Sequence, residues 1–162
     1  MRVNKKVNTL LLGNNDALLS SEILLLRLTI GILLFIVGSG KVFGWFGGYG
    51  LNTTIQFYIK MGIAVPLAYL SCFTEFLGVL LLAFGLFTRP AAVAVVINMT
   101  VATITMLPGG FFGSSGPGAS YPFVFLIIAI SILLFGPMKL SLDYLIFHQL
   151  NAEGKLLTVS EQ

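Results

Sequence analysis

The hydrophobic residues of this chain fall into four long runs separated by short polar or glycine-rich segments. The runs cover about 21–43, 66–87, 90–107 and 121–135. Because about 20 apolar residues let an α-helix cross the hydrocarbon of a bilayer, each run predicts a membrane-spanning helix, although the last two are short. Pro66, Pro90 and Pro122 stand near the starts of three runs, where a helix tolerates a missing N–H. The pattern predicts an all-α membrane protein, an antiparallel bundle of four transmembrane helices.

Two shorter stretches have the spacing of amphipathic helices that lie along the membrane surface. The first follows the first run, with Asn52 as a candidate cap, and its apolar face is formed by Leu51, Ile55, Tyr58 and Ile59. The second follows the fourth run, with Ser141 as a candidate cap and Asp143 in the first turn, and its apolar face is formed by Leu142, Leu145, Ile146 and Leu150. Ser20 or Ser21 is a candidate cap for the first spanning helix.

Lysine and arginine positions predict the orientation of the bundle. Basic residues precede the first run, occupy the link between the second and third, and follow the fourth: Arg2, Lys5, Lys6, Arg89, Lys139 and Lys155. On the other side only Lys60 lies clearly in a loop. By the positive-inside rule both termini are cytoplasmic. We expect a cytoplasmic segment over 1–20, the transmembrane domain over 21–147 and a cytoplasmic tail over 148–162.

Composition supports this class and excludes others. Hydrophobic residues make up 57% of the chain and charged residues 9%, whereas soluble domains carry about 25% charged residues. The net charge of +3 is small and scattered, so we expect no nucleic-acid binding. One cysteine, Cys72, and one histidine, His148, give no metal or haem motif, and no flavin motif is present. We interpret Cys72 as a packing residue.

Glu75 is the most informative residue, because it is a carboxylate near the middle of an otherwise uncharged run. An ionised group at that depth costs a few kcal/mol or more unless it is paired, neutral or next to a wet cavity. At helical spacing it shares a face with small residues such as Ala68, Ser71 and Gly78, so it should point into the bundle. Glu75 is either half of a structural ion pair or a group that serves a ligand or moves protons.

Three polar residues in other spans could meet Glu75. Arg27 and Lys41 share a face of the first run with Gly31 and Gly38, and Asn98 lies on a small-residue face of the third. We expect Glu75 to contact Lys41 rather than Arg27. The alternatives are that Arg27 and Lys41 snorkel to the headgroups and that Asn98 only bonds a neighbouring helix.

These motifs resemble those of the DoxX family of small four-helix membrane proteins. The resemblance covers about Leu24 to Leu145. It rests on RLTIGILLFIVGSGKVF in the first run, on TEFLGVLLLAFGLFTRPAAVAVV through the second and third, and on FGPMKLSLD after the fourth. One departure is Tyr121-Pro122-Phe123 at the start of the fourth run, where relatives commonly have a polar or acidic residue.

The resemblance implies a bacterial-type inner-membrane protein associated with redox physiology, because relatives include a subunit of thiosulfate:quinone oxidoreductase and partners in oxidative-stress complexes. We expect a quinone- or quinol-interacting component that acts with a redox partner protein, and a homo-oligomer is one possible assembly. Glu75 would relay protons, while Arg27, Lys41, Asn98 and Tyr69 would contact the ligand. The alternative is a non-catalytic membrane scaffold or a small-molecule permeation protein, and the sequence leaves enzyme activity open.

Overall fold

The computed structural model describes residues 16–113 and 118–149, with side chains from residue 18 onward. Residues 1–15 of the expected N-terminal segment and 150–162 of the expected tail lie outside this part. The described chain forms six α-helices, which are α1 (Asp16–Phe43), α2 (Gly50–Lys60), α3 (Val65–Phe84), α4 (Thr88–Met106), α5 (Ser120–Phe135) and α6 (142–149).

The four long helices form the antiparallel bundle that the sequence predicts. Along α1, Arg27 lies against Gly85, Gly31 against Ala83, and Gly38 against the backbone of Glu75, so α3 runs opposite to α1. The start of α4 lies beside the end of α5, because Arg89 borders Gly136. We call the two ends of the bundle the Arg27 end, which also holds Gly85, Thr88 and Gly136, and the Lys41 end.

The bundle has an apolar interior and an apolar exterior, as a helical membrane protein requires. Its core includes Ile30, Leu34, Val79, Leu82, Val95 and Ile132, all at most 1% exposed. Large apolar side chains more than half exposed point outward on every long helix, among them Leu25, Ile32, Phe84, Ile104 and Leu134. Helices α1, α3 and α4 are long and apolar enough to cross a membrane. Helix α5, with 16 residues, is about 24 Å long.

Two predicted helix caps are wrong. Helix α1 already includes Asp16, so Ser20 and Ser21 lie inside it, and the Ser21 hydroxyl donates to the Leu18 carbonyl three residues back. Helix α2 begins at Gly50 rather than after Asn52, and no side chain caps it. In both places the backbone hydrogen bonds of the helix begin nearer the N-terminus than the apolar pattern does. The polar residue therefore lies inside the helix and not at its start.

The link between α3 and α4 lies earlier in the chain than the apolar runs indicate, and its backbone is strained. Helix α3 ends at Phe84 because Gly85 adopts a left-handed conformation with φ of 67°, a common way to terminate a helix. Phe87 has a φ of 48°, which is costly for a non-glycine residue. Helix α4 then starts at Thr88, so Arg89 lies in its first turn rather than in the link.

Helix α2 packs on the bundle and does not lie apart from it. Ile55 is buried with Ala68 and Cys72 of α3, while Leu51 and Tyr58 pack against this cluster and Ile59 is exposed. Cys72 is therefore a packing residue, as the sequence indicates. The contact brings one face of α2 over the Lys41 end of α1 and α3.

Candidate functional site

Glu75 is the centre of a polar network that joins α1, α3 and α4 inside the bundle. Its Oε2 lies 2.5 Å from Lys41 Nζ, and its Oε1 accepts a hydrogen bond of 3.1 Å from Asn98 Nδ2. The Glu75 side chain is 3% exposed and that of Lys41 25%. The ion pair expected from the sequence is present, and Lys41 is the partner. Asn98 makes an interhelical hydrogen bond, which is one of the two roles that the sequence indicated for it, the other being contact with a ligand.

The backbone around Glu75 departs from a regular α-helix. Residues Thr74–Gly78 form one π-helical turn within α3. Such turns are rare and often occur at functional sites. Helix α1 approaches this turn through Gly38, since a Cβ there would lie 2.5 Å from the Glu75 carbonyl oxygen and 2.8 Å from the Phe76 nitrogen. Gly38 thus lets α1 come close enough for Lys41 to reach the carboxylate.

Tyr58 of α2 completes the network, although the sequence placed it only on the apolar face of an amphipathic helix. Lys41 Nζ donates a 2.9 Å hydrogen bond to the Tyr58 hydroxyl, and it lies 5.6 Å from the centroid of the Tyr58 ring. A cation at that distance from an aromatic ring is attracted to it. The only sequence signal was the position of Tyr58 on the apolar face of an amphipathic helix, where a phenol stands among aliphatic residues.

A groove of about 560 Å³ runs beside this network between α2, α3 and α4. We call it the side groove. Its walls are mostly apolar and include Phe57, Leu67, Leu70, Ile97, Val101 and Met106. Lys41, Tyr58 and Asn98 also line it, together with the hydroxyl residues Ser71 and Thr74. Glu75 lies behind Lys41 and Asn98, out of direct contact with the groove.

The groove has the features of a small-molecule site. Such sites are concave, mostly apolar and hold a few polar groups that fix the orientation of the ligand. Lys41 carries three N–H donors, of which one goes to Tyr58 and one faces Glu75, so a third is available to the groove. Asn98 uses one of its two amide N–H groups on Glu75. The site can therefore donate hydrogen bonds to a ligand and keeps a carboxylate close behind the donors.

Two of the expected ligand residues lie elsewhere. Arg27 is fully buried at the Arg27 end, where its Nη2 donates to the Leu140 carbonyl. Its Nε and Nη1 make no hydrogen bond with the described residues. Tyr69 is 39% exposed and does not line the side groove. The structure thus brings together Lys41, Glu75 and Asn98 and leaves Arg27 and Tyr69 outside.

At the Arg27 end, Asp143 fastens the segment after α5 to the start of α4. Its carboxylate accepts bonds from the Phe87 and Thr88 N–H groups, each at 2.8 Å, and from the Thr88 hydroxyl at 2.7 Å. Its own N–H donates to the Gly85 carbonyl. The Ser141 hydroxyl accepts from the Tyr144 N–H and so caps α6, as predicted. Asp143 was expected to act only in α6, yet it caps α4 from 55 residues away.

The environment of Asp143 favours its charged form. Burial raises the pKa of the carboxyl, but the hydrogen bonds from Thr88 and Phe87 and the nearby Arg27 charge outweigh burial. The net effect holds the pKa below its ordinary value. A depression of about 590 Å³ beside Asp143 is lined by Arg89, Pro90 and Pro137. Because Asp143 already serves as a helix cap, we place the candidate site in the side groove.

Comparison with known proteins identifies the family of this chain. The family model for DoxX matches residues 22–108, which is more than half of the chain. This chain belongs to the DoxX family. The matched DoxX region contains Lys41, Tyr58, Glu75 and Asn98, so the whole network lies in the part that defines the family, whereas Asp143 lies beyond it.

A curated DoxX-family relative carries a redox name. The chain is 34% identical to "Putative oxidoreductase CatD" of Bacillus subtilis (strain 168) over 125 residues, which are 76% of this chain and 86% of that protein. No solved structure matches the chain significantly. The protein is thus a helical membrane protein of the DoxX family with a relative named as an oxidoreductase.

Proposed function

We propose that this protein binds a quinone or quinol in the side groove and acts as a membrane component of a redox system. One observation carries the proposal. Two hydrogen-bond donors, Lys41 and Asn98, line an apolar groove and are both held by the buried carboxylate of Glu75. A quinone needs an apolar slot for its ring and tail and polar groups at its carbonyls, and the groove offers both.

Each residue has a distinct role in this proposal. The ammonium group of Lys41 stabilises negative charge that develops on a quinone oxygen during reduction. Asn98 orients the ring through its second N–H. Glu75 relays a proton through Lys41, with which it is in direct contact. Arg27 and Tyr69 have no part, because neither lies at the groove.

The electrons come from a partner protein that carries an electron-transfer cofactor. This part of the proposal is supported by the name of the Bacillus subtilis relative and by the small share of the described residues that lies outside the bundle. We also propose that the protein resides in the bacterial inner membrane with both termini cytoplasmic, on the strength of its lysine and arginine distribution. Thiol labelling of Tyr49→Cys, in a Cys72→Ala background, should then occur from outside the cell.

The decisive experiment is extraction and mass spectrometry of lipids bound to the purified protein. Wild-type protein should retain a quinone, and Asn98→Leu and Lys41→Met should retain much less. Lys60→Met is the matched control, because it removes an exposed lysine that does not line the groove. Ala102→Phe adds bulk to a groove wall without touching the ion pair, so it should exclude the quinone while leaving the fold intact.

A wild-type protein without quinone, which also fails to bind added quinone in detergent, would contradict the proposal and favour a scaffold or permeation role. Unchanged retention in Ala102→Phe would show that the quinone lies outside the side groove.

A further inference from the structure

Tyr58 lines the side groove beside Lys41, and its contact with Lys41 determines which hydrogen bonds its hydroxyl can make. Its hydroxyl lies 2.9 Å from Lys41 Nζ, and both residues line the groove. The ring belongs to α2, which covers the Lys41 end, whereas Lys41 belongs to α1. The contact therefore fixes the phenol relative to the ammonium group across two helices.

The direction of this hydrogen bond is set by chemistry. A protonated lysine has three donors and no acceptor, so Lys41 must donate and the Tyr58 oxygen must accept. The phenolic hydrogen is consequently not used in the contact with Lys41. No described residue accepts a hydrogen bond from it, and the groove is the space that the Tyr58 side chain lines.

Lys41 and Tyr58 together thus present two adjacent donors to the groove. The third N–H of Lys41 and the O–H of Tyr58 start from atoms 2.9 Å apart. A single carbonyl oxygen has two lone pairs and can accept from both, in the way that paired donors bind an oxygen in an oxyanion site. Glu75 also contacts Lys41 Nζ and is itself held by Asn98, so both contribute to the position of the ammonium group.

We propose that Tyr58 and Lys41 form a paired donor for one carbonyl oxygen of the ligand, and that Tyr58 is a ligand-contacting residue of this site. The inference rests on the proposed function, and it adds that the protein holds the ligand by one of its carbonyl oxygens. The ligand class is an apolar molecule that carries a carbonyl oxygen, with the quinone ring as the form considered above.

The test uses decylubiquinone labelled with ¹³C at a carbonyl, bound to the purified full-length protein and followed by infrared difference spectroscopy. In the wild type, the carbonyl stretch of the bound probe should fall relative to the probe in detergent. Tyr58→Phe keeps the ring beside Lys41 and removes only the hydroxyl. It should reverse part of the shift and weaken binding about two- to twelvefold, as expected for one hydrogen bond. Tyr49→Phe makes the same chemical change at an exposed position and should alter neither quantity.

The outcomes separate the inference from the proposed function. If the wild type binds no probe, both fail. If the wild type binds and Tyr58→Phe shows the same affinity and the same carbonyl stretch, the inference is overturned while the proposed function stands. Should Tyr58→Phe fold poorly, replacement of Tyr58 by a ring-fluorinated tyrosine, a stronger donor, must lower the stretch further, and an unchanged stretch would refute the paired donor.

Discussion

Removing the positive charge of Lys41 should destabilise the fold strongly. At 2.5 Å and an effective dielectric constant of about 20, the gross attraction between Lys41 and Glu75 is about 7 kcal/mol. Much of this offsets the cost of taking both charges out of water. Lys41→Met leaves Glu75 3% exposed with only the Asn98 amide as a partner, so we expect a loss of about 3–5 kcal/mol in the free energy of unfolding.

The reverse change should cost less. In Glu75→Gln the amide oxygen can still accept from Lys41, and the Lys41 side chain, 25% exposed, can turn its charge toward the groove. We expect a loss of about 1–3 kcal/mol, typical of an imperfectly satisfied buried polar group. The double variant should be more stable than Lys41→Met alone, because no charge is then left in the core.

Unfolding in mixed detergent micelles, followed by circular dichroism as the fraction of denaturing detergent rises, measures these differences. Lys60→Met, which removes an exposed lysine, should change the free energy of unfolding by less than about 0.5 kcal/mol. If Lys41→Met is as stable as Lys60→Met, or if the losses of the two single variants simply add in the double variant, the ion pair does not stabilise the bundle.

Three further variants test the packing and the caps, each by the same unfolding measurement. Gly38→Ala should cost about 1–3 kcal/mol, since its Cβ would lie 2.5 Å from the Glu75 carbonyl, whereas Gly109→Ala, with open space around it, should be nearly neutral. Ser141→Ala should cost about 1 kcal/mol through the lost cap of α6 and leave the proposed binding of quinone in the side groove unchanged. Asp143→Asn should cost about 1–2 kcal/mol near neutral pH. Because the folded-state pKa of Asp143 is lowered, its contribution is complete above the unfolded value of about 3.9 and is lost as pH falls below that value, so wild type and Asp143→Asn should converge in acid.

Equal stability of Gly38→Ala and Gly109→Ala would mean that α1 and the π-helical turn are not in tight contact. A pH-independent difference between the wild type and Asp143→Asn would show that charge does not matter in the α4 cap.

The bundle and the centre of the site could be predicted because local rules determine them. Apolar run length gave the four long helices, and helical spacing placed Glu75 on an inward face. A buried carboxylate needs a partner, and Lys41 was at a matching depth. Each of these steps uses a period or a length that can be read from consecutive residues.

The remaining features depend on contacts between segments distant in sequence. Asp143 caps a helix 55 residues away, and no local pattern indicates that partner. Tyr58 joins the site only because α2 packs on α1 and α3, which amphipathic spacing alone does not specify. The π-helical turn at Thr74–Gly78 lies against Gly38 of another helix. The position of Arg27 away from the side groove could not be read from local spacing, because its backbone partner, Leu140, lies 113 residues further along the chain.

The contacts at the Arg27 end should keep the helices fixed relative to one another there, so that the bundle opens more readily at the Lys41 end. Arg27, Gly85, Thr88 and the segment around Asp143 bind four helices to one another at that end through backbone and side-chain hydrogen bonds. At the Lys41 end, α2 is attached through loops that contain glycines at positive φ, Gly44 and Gly62 among them. The amplitude of local opening motions should therefore increase with distance from the Arg27 end. Amide hydrogens should exchange faster in α2 than in the first turns of α4. A ligand of the side groove would then enter and leave through one leaflet of the bilayer, the leaflet at the Lys41 end.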